Sequence, residues 1–420
     1  MSTTGLVRPP DADLVAAGRQ NTLVTIMFFA AGIVFLDRFG ITFLFPQIGA
    51  ELQLTNAQLG SLVSVTAVAW AVSGLVFSML SDRFGGRTKW LIVASLVLFS
   101  CAVGLIGFAS DYETMLLYRA FIGFCEGPAL PLIQGAVARV SSPGRRGRNL
   151  GIVIAGTLVI GSALAPGIMV GLASLSGWRN AFPIVAVPGI LVAVLVAIFM
   201  KEDARAADGD RVRLRDFRAV LANRNVLLAL VGTTFCIGSS IGFGTFGATY
   251  LAAEGHSPGT STLILTVYGF VIALGNVIAP ALSDRFGRKP VLFVAAVCSG
   301  LLPLCFVLFS GSVPVLLVSL VVGLMGGGAL TLIAYVVPGE SVPPALMATA
   351  FALQIAVGET LGGVLGPQLG GVLADATHNL SNALLLYAAA PIVLVVVAVL
   401  IKETAPEKRG STRGSLNNPT

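Results

Sequence analysis

Twelve long apolar stretches, separated by short polar breaks, constrain this chain more than any other feature. A helix needs roughly 20 apolar residues to cross the hydrocarbon core of a bilayer, and a barrel strand only about 9–11. The stretches predict spanning helices over 22–46, 56–81, 90–109, 112–138, 149–174 and 179–200, then over 225–251, 260–283, 290–310, 313–338, 345–373 and 381–401. Inside lipid every backbone amide needs an internal partner, and runs of this length meet that need as helices. The expected fold class is an all-α membrane protein with twelve transmembrane helices in two six-helix halves. Composition agrees: 11% of residues are charged, against about 25% in soluble domains.

The runs divide the chain into an N-terminal half (1–200), a hydrophilic central loop (201–224) and a C-terminal half (225–420). The end of the loop predicts a short surface helix, because Leu214, Phe217, Val220 and Leu221 recur at helical spacing. Orientation follows from Lys and Arg. Of 26 such residues, 23 fall in the two tails and in the breaks on the same side as the tails, Arg179 falls on the other side, and Arg38 and Arg119 lie within helices. Positive charge stays on the cytoplasmic side, so both termini are expected in the cytoplasm of a cell carrying this chain in its inner membrane. The first run is long and carries charges, so it is expected to remain as a span. The net charge of +6 suits loops beside anionic lipid and needs no nucleic acid.

The halves repeat in sequence. SDRFGGR at 81–87 recurs as SDRFGRK at 283–289, PALPLI at 128–133 as GALTLI at 328–333, and Ala165-Pro166 as Gly366-Pro367. Two units in the same order imply parallel repeats related by an axis along the membrane normal, with a site between them at mid-membrane.

Five ionisable residues sit deep in apolar runs: Asp37, Arg38, Arg119, Glu126 and Glu359. Each costs roughly 2.5–3.5 kcal/mol to insert, so they should pair or line a wet cavity. Arg119 and Glu126 lie two turns apart on one helix face, about 10 Å along the axis, and Asp37 and Arg38 are neighbours. The first and fourth helices can therefore each offer one cation and one anion. Those four charges sum to zero; Glu359 adds a negative charge and is a candidate for protonation. An alternative is a structural network that only ties the two helices together. Tyr268, Asn276, Tyr335 and Gln354 are polar groups of the second half that can reach substrate or bond between helices. The five cysteines lack metal-site or redox spacing, and His256 and His378 occupy polar breaks. No cofactor or metal site is expected, and no nucleophile–base pair or phosphate loop points to an enzyme.

SMLSDRFGGRTK (78–89) and PALSDRFGRKP (280–290) resemble the two copies of the loop motif of major facilitator transporters, with Ser78 and Pro280 replacing the leading Gly. The resemblance implies that Asp82, Arg83, Arg87, Asp284, Arg285 and Arg288 gate the cytoplasmic side, each Asp meeting arginines and a helix N-terminus of the opposite half; a topogenic cluster is the plainer alternative. FLDRFGITFLFPQI (35–48), YRAFIGFCEGPALP (118–131) and GWRNAF (177–182) further resemble the anion:cation symporter branch, which includes galactonate, glucarate and phthalate carriers and the vesicular glutamate and sialic-acid carriers. That resemblance implies proton handling by Asp37 and Glu126 and anion binding by Arg38 and Arg119. The seventh helix departs from the branch, with Phe235, Phe243 and Phe246 where Tyr or Trp is common. Phenylalanine favours aromatic or short aliphatic acids over polyhydroxylated ones, because sugar hydroxyls would be left unpaired. The expected protein is a monomeric proton-coupled symporter importing a small organic carboxylate, with protons and the lipid bilayer as its other partners. The rivals are an exporter of amphipathic compounds, or a transport-inactive receptor on the same fold. G-x-x-x-G-P-x-x-G-G at 362–371, similar to a motif of drug/proton antiporters, reads best as small residues for close helix contact.

Overall fold

The computed structural model describes residues 10–81, 88–142, 144–201 and 214–405. Among the described residues there are twelve helices long and apolar enough to cross a membrane, and no strand. Helix 1 runs over Gly18–Leu52, helix 2 over Asn56–Ser81, helix 3 over Thr88–Ile106, helix 4 over Tyr112–Val140, helix 5 over Arg146–Ser176 and helix 6 over Trp178–Phe199. The second six are Arg224–Ala253, Pro258–Phe286, Arg288–Phe309, Val313–Ser341, Pro344–Thr377 and Leu380–Leu400, helices 7 to 12. Most boundaries fall within a few residues of the predicted ones. Helix 1 is longer, because Phe45-Pro46 opens a further helical segment; proline in a first turn lacks only an N–H that has no partner there anyway. Gln53, in the left-handed conformation at φ 52°, then ends it.

The sequence repeat reappears in three dimensions. Helix 3 packs on helix 6, helix 2 on helix 4 and helix 1 on helix 5; in the second half helix 9 packs on helix 12, helix 8 on helix 10 and helix 7 on helix 11. The halves meet through helix 2 against helix 11 and helix 5 against helix 8, a pair of contacts that exchange under the same repeat. The predicted surface helix forms at Leu214–Leu221, where fully buried Val220 packs with Val226, Val342 and Ala350.

With twelve spans, Gly18 and Leu400 lie on one face, the terminal face, and the connections 1–2, 5–6 and 11–12 lie on the distal face. On the distal face the halves are tied by a carboxylate. Asp375, near the end of helix 11, accepts from the backbone N–H of Asn56 at 3.0 Å, from its side-chain amide at 2.9 Å and from the N–H of Ala57 at 2.8 Å. The two backbone N–H groups are unsatisfied donors of the helix 2 N-terminus, whose dipole favours an anion. Glycine allows the approach, since a Cβ on Gly371 would strike the carbonyl of Asn56 and one on Gly60 the carbonyl of Pro367. The GWRNAF segment braces the same face within the first half: Arg179 pairs with Glu51 at 2.9 Å and donates to the carbonyl of Gly107 at 3.3 Å.

The second loop motif on the terminal face departs from the expected cross-half latch. Asp284 is 70% exposed and its ion pair is with Arg288, four residues on, at 2.6 Å. Arg288 also clamps Glu340 of helix 10 at 2.7 Å. Both partners belong to the C-terminal half. Among the described residues the hydrogen bonds between the halves, made by Arg38, Asn56, Ala57 and Ser64, lie away from this loop, and Asp284 pairs within its own half. Arg285 lies over the ring of Phe286, 5.5 Å from its centroid. Glu403, beyond helix 12, accepts from the N–H groups of Arg288 and Lys289 and so caps helix 9. Partial burial opposes its charge, but these and two further backbone N–H groups outweigh that and hold its carboxyl below the usual range. Asp82, Arg83 and Arg87 lie outside the described residues.

Candidate functional site

Regular α-geometry fails in several helices near mid-membrane. Helix 1 tightens to a 3₁₀ turn at Ile41–Leu44, just after Asp37 and Arg38. Helix 4 is interrupted between Glu126 and Ala129, at Gly127-Pro128. Helices 5 and 11 widen to π-turns at Val159–Leu164 and Gly358–Gly362, and helix 10 does so at Leu332–Val336. Such breaks free backbone groups and re-aim side chains, and they recur where transport proteins bind their cargo.

The five intramembrane charges of helices 1, 4 and 11 come together there. Arg38 is buried, with Nη2 donating to Glu359 Oε2 at 2.7 Å and Nη1 lying 3.9 Å from Glu126 Oε1. The first contact joins helix 1 of one half to helix 11 of the other. Aromatic rings surround the guanidinium: its carbon lies 5.9 Å from the centroid of Phe35, 5.5 Å from Phe39 and 5.3 Å from Trp70. Arg119 is wholly buried behind it. Its Nε donates to the Leu62 carbonyl and its Nη2 to the Arg38 carbonyl, both at 3.2 Å, while Nη1 has no hydrogen-bond partner among the described residues. Asp37 and Glu126 are buried, and among the described residues none of their four carboxylate oxygens has a hydrogen-bond partner. Buried carboxylates without hydrogen bonds are costly, and Glu126 is offset here by Arg38 at 3.9 Å.

A cavity of about 260 Å³ opens in front of this cluster, between the halves. Glu359 lines it, and Arg38 lies one hydrogen bond behind. Phe35, Phe39 and Phe43 of helix 1 form one wall, with Phe243 and Tyr268 facing from the second half. Most lining hydroxyls are already committed to carbonyls: Thr42 to Phe39, Thr157 to Ile154, Ser239 to Tyr387 and Ser299 to Ala296.

The remaining candidates separate into two groups. Tyr268 and Asn276 line the cavity. Tyr268 stacks at 5.1 Å on Phe243, and Asn276 donates to the Ile272 carbonyl at 3.0 Å and accepts from Thr331 at 2.6 Å. Tyr335 and Gln354 are not among its lining. Tyr335 packs on Phe351, and Gln354 is fully buried, bonded to Thr233 and to the Val226 carbonyl, where it joins helix 11 to helix 7. Of the helix 7 phenylalanines, Phe243 lines the cavity, Phe246 is packed in the core and Phe235 is 42% exposed on the outer surface. The aromatic wall comes instead from helix 1. Its signal lay in the sequence, since residues 35, 39 and 43 recur every four positions on one helix face beside Arg38.

A family model described as Major Facilitator Superfamily matches residues 27–255 and again 228–418. The hexuronate transporter of Bacillus subtilis (strain 168) is 27% identical over 399 residues, covering 87% of this chain and 91% of that protein. The probable 4-methylmuconolactone transporter of Cupriavidus pinatubonensis (strain JMP 134 / LMG 1197) is 27% identical over 398 residues, covering 89% of this chain and 88% of its own length. Among solved structures, a bacterial homolog of the human lysosomal transporter Spinster, inward-facing and unoccupied, shares the fold with a TM-score of 0.73 at 21% identity, covering 91% of this chain and 96% of that one. The family model spans both halves and the fold agrees, so this multi-pass membrane protein belongs to the Major Facilitator Superfamily of transporters.

Proposed function

We propose that the chain is a proton-coupled symporter that imports a small organic carboxylate by alternating access. The observation that carries this reading is the buried cluster of two guanidiniums and three carboxylates at the wall of a largely apolar cavity between the halves. An anion in a low-dielectric site needs a fixed cation, and Arg38 offers a planar fork matched to a carboxylate. Fully ionised, the five groups carry one net negative charge, so an incoming anion is repelled until a carboxylate takes a proton. Asp37 and Glu126, without hydrogen-bond partners, hold that proton in this reading. Arg119 compensates them from behind. A relative named for hexuronate, a carboxylate, supports an anionic cargo.

The cavity favours an acid with an apolar body. Its rings offer area for stacking, and its hydroxyls are largely committed, so a polyhydroxylated acid would bury unpaired groups. Competition decides between the two kinds of acid: benzoate is expected to displace bound substrate at lower concentration than glucuronate. The reverse order would make sugar acids the substrate class, and displacement by neutral lipophilic compounds alone would replace the symporter with an exporter.

The terminal face, with most of the Lys and Arg, is the cytoplasmic face in this reading, and the Asp375 contact closes the outside. Asp375→Ala removes the acceptor for all three donors of Asn56 and Ala57. It should open the distal face more often. A cysteine at Ser240 on the cavity wall, in a background without reactive native thiols, should then react several-fold faster with an impermeant reagent applied from that face. Unchanged labelling would remove Asp375 from the gate. The loop motif around Asp82 and Asp284 is proposed as the opposing gate, made when the cytoplasmic side closes.

A further inference from the structure

Glu359 occupies the place that a substrate carboxylate needs. Its Oε2 accepts from Arg38 Nη2 at 2.7 Å, the hydrogen bond that the Arg38 side chain makes among the described residues. Arg38 is only 5% exposed and rings cover its flanks, whereas Glu359 is 18% exposed and faces the cavity. An anion entering from the cavity therefore meets Glu359 before it meets the guanidinium. Glu359 also stands on the π-turn Gly358–Gly362. That geometry places one residue off the regular helical register, and its glycines make the local backbone adaptable.

From this arrangement we infer that Glu359 is a built-in counterion, a carboxylate that stands in for the substrate's own in the empty carrier and is displaced when substrate binds. Two consequences follow. The empty site is neutralised at Arg38, so the unloaded carrier can reorient across the low-dielectric centre and complete a net-transport cycle. Substrate, for its part, must compete with an internal carboxylate, which selects anions able to form the same charge-assisted bond over neutral molecules of similar shape. Displacement breaks a contact between the halves, so occupancy of the site is transmitted to their relative position.

The inference rests on the carboxylate reading of the site, and the test separates the two. Binding of labelled benzoate and of labelled glucuronate is measured on purified wild type, Glu359→Gln and Glu359→Asp, each first checked for a single folded peak in detergent. Net uptake and substrate exchange are then measured in vesicles. In Glu359→Gln the competitor is gone, so the acid that wild type binds should bind about tenfold more tightly, the equivalent of about 1.4 kcal/mol. Net uptake should fall by at least tenfold while exchange of internal for external substrate persists. Glu359→Asp keeps the charge but shortens the reach, so it should shift both readouts in the same direction by less, and it carries the test if the Gln variant does not fold. Wild-type affinity and net uptake in both variants, or weaker binding in both, overturn the counterion role and leave the carboxylate reading intact. If wild type binds neither acid, the carboxylate reading falls and the counterion falls with it.

Discussion

Asp37→Asn and Glu126→Gln should each abolish accumulation of substrate against its gradient while leaving substrate exchange across the membrane. Both carboxylates are buried, and among the described residues none of their oxygens has a hydrogen-bond partner. Fully ionised, the cluster carries one net negative charge, and Glu126 lies 3.9 Å from Arg38. A bound carboxylate adds a second uncompensated negative charge to a cluster that already carries one, and a proton on Asp37 or Glu126 relieves it. An amide is the permanently neutral mimic of the protonated acid. It should allow the loaded carrier to reorient but remove the proton step that gives transport its direction. Vesicles with an imposed pH gradient measure this directly. Concentrative uptake at wild-type level in both variants would remove these residues from coupling, and loss of exchange together with accumulation would point to a binding role. The loss expected is of the whole concentrative component.

The fold was legible because lipid leaves the backbone so few options. Twelve long apolar runs admit one secondary structure, and the motif repeat from SDRFGGR to SDRFGRK orders the helices into two equivalent sets. The charged cluster was legible for a related reason: an ionisable group in a spanning helix is expensive, so Asp37, Arg38, Arg119, Glu126 and Glu359 announced themselves by position. Their pairing was not. Spacing suggested that helices 1 and 4 would pair their charges, yet the shortest contact runs from Arg38 to Glu359 on helix 11, and only the tertiary arrangement of the two halves could show it. Which of the helix 7 phenylalanines line the cavity is not legible in sequence, because it depends on rotation of that helix against its neighbours. The distal tie through Asp375 left still less signal, a single carboxylate near a helix end, because its partners are backbone N–H groups that every helix start possesses. The loop motif pointed to Asp284 as a link between halves, and in this conformation it serves its own half through Arg288 and Glu340.

Arg119→Gln should cost the protein stability, where Arg38→Lys costs it chiefly affinity. Sequence alone treated the two arginines as equals, but the structure gives them different surroundings. Arg38 lies one hydrogen bond behind the cavity, through Glu359. Arg119 is wholly buried, is not among the residues lining that cavity, and holds the carbonyls of Leu62 and Arg38 through its guanidinium. Removing one partner from a set of buried charges leaves the others uncompensated, typically at about 3–5 kcal/mol, and Asp37 and Glu126 are the groups that would be stranded. Thermal unfolding in detergent should therefore fall sharply in Arg119→Gln. Adding Glu126→Gln should restore part of the loss, because the two sites are coupled rather than additive. Arg38→Lys keeps the charge but loses the planar fork, so it should leave the unfolding temperature near wild type and weaken benzoate binding about tenfold, near 1.4 kcal/mol. If Arg119→Gln is as stable as wild type and instead loses binding with the same tenfold signature, Arg119 contacts substrate directly, and the site must rearrange on loading to bring it to the cavity.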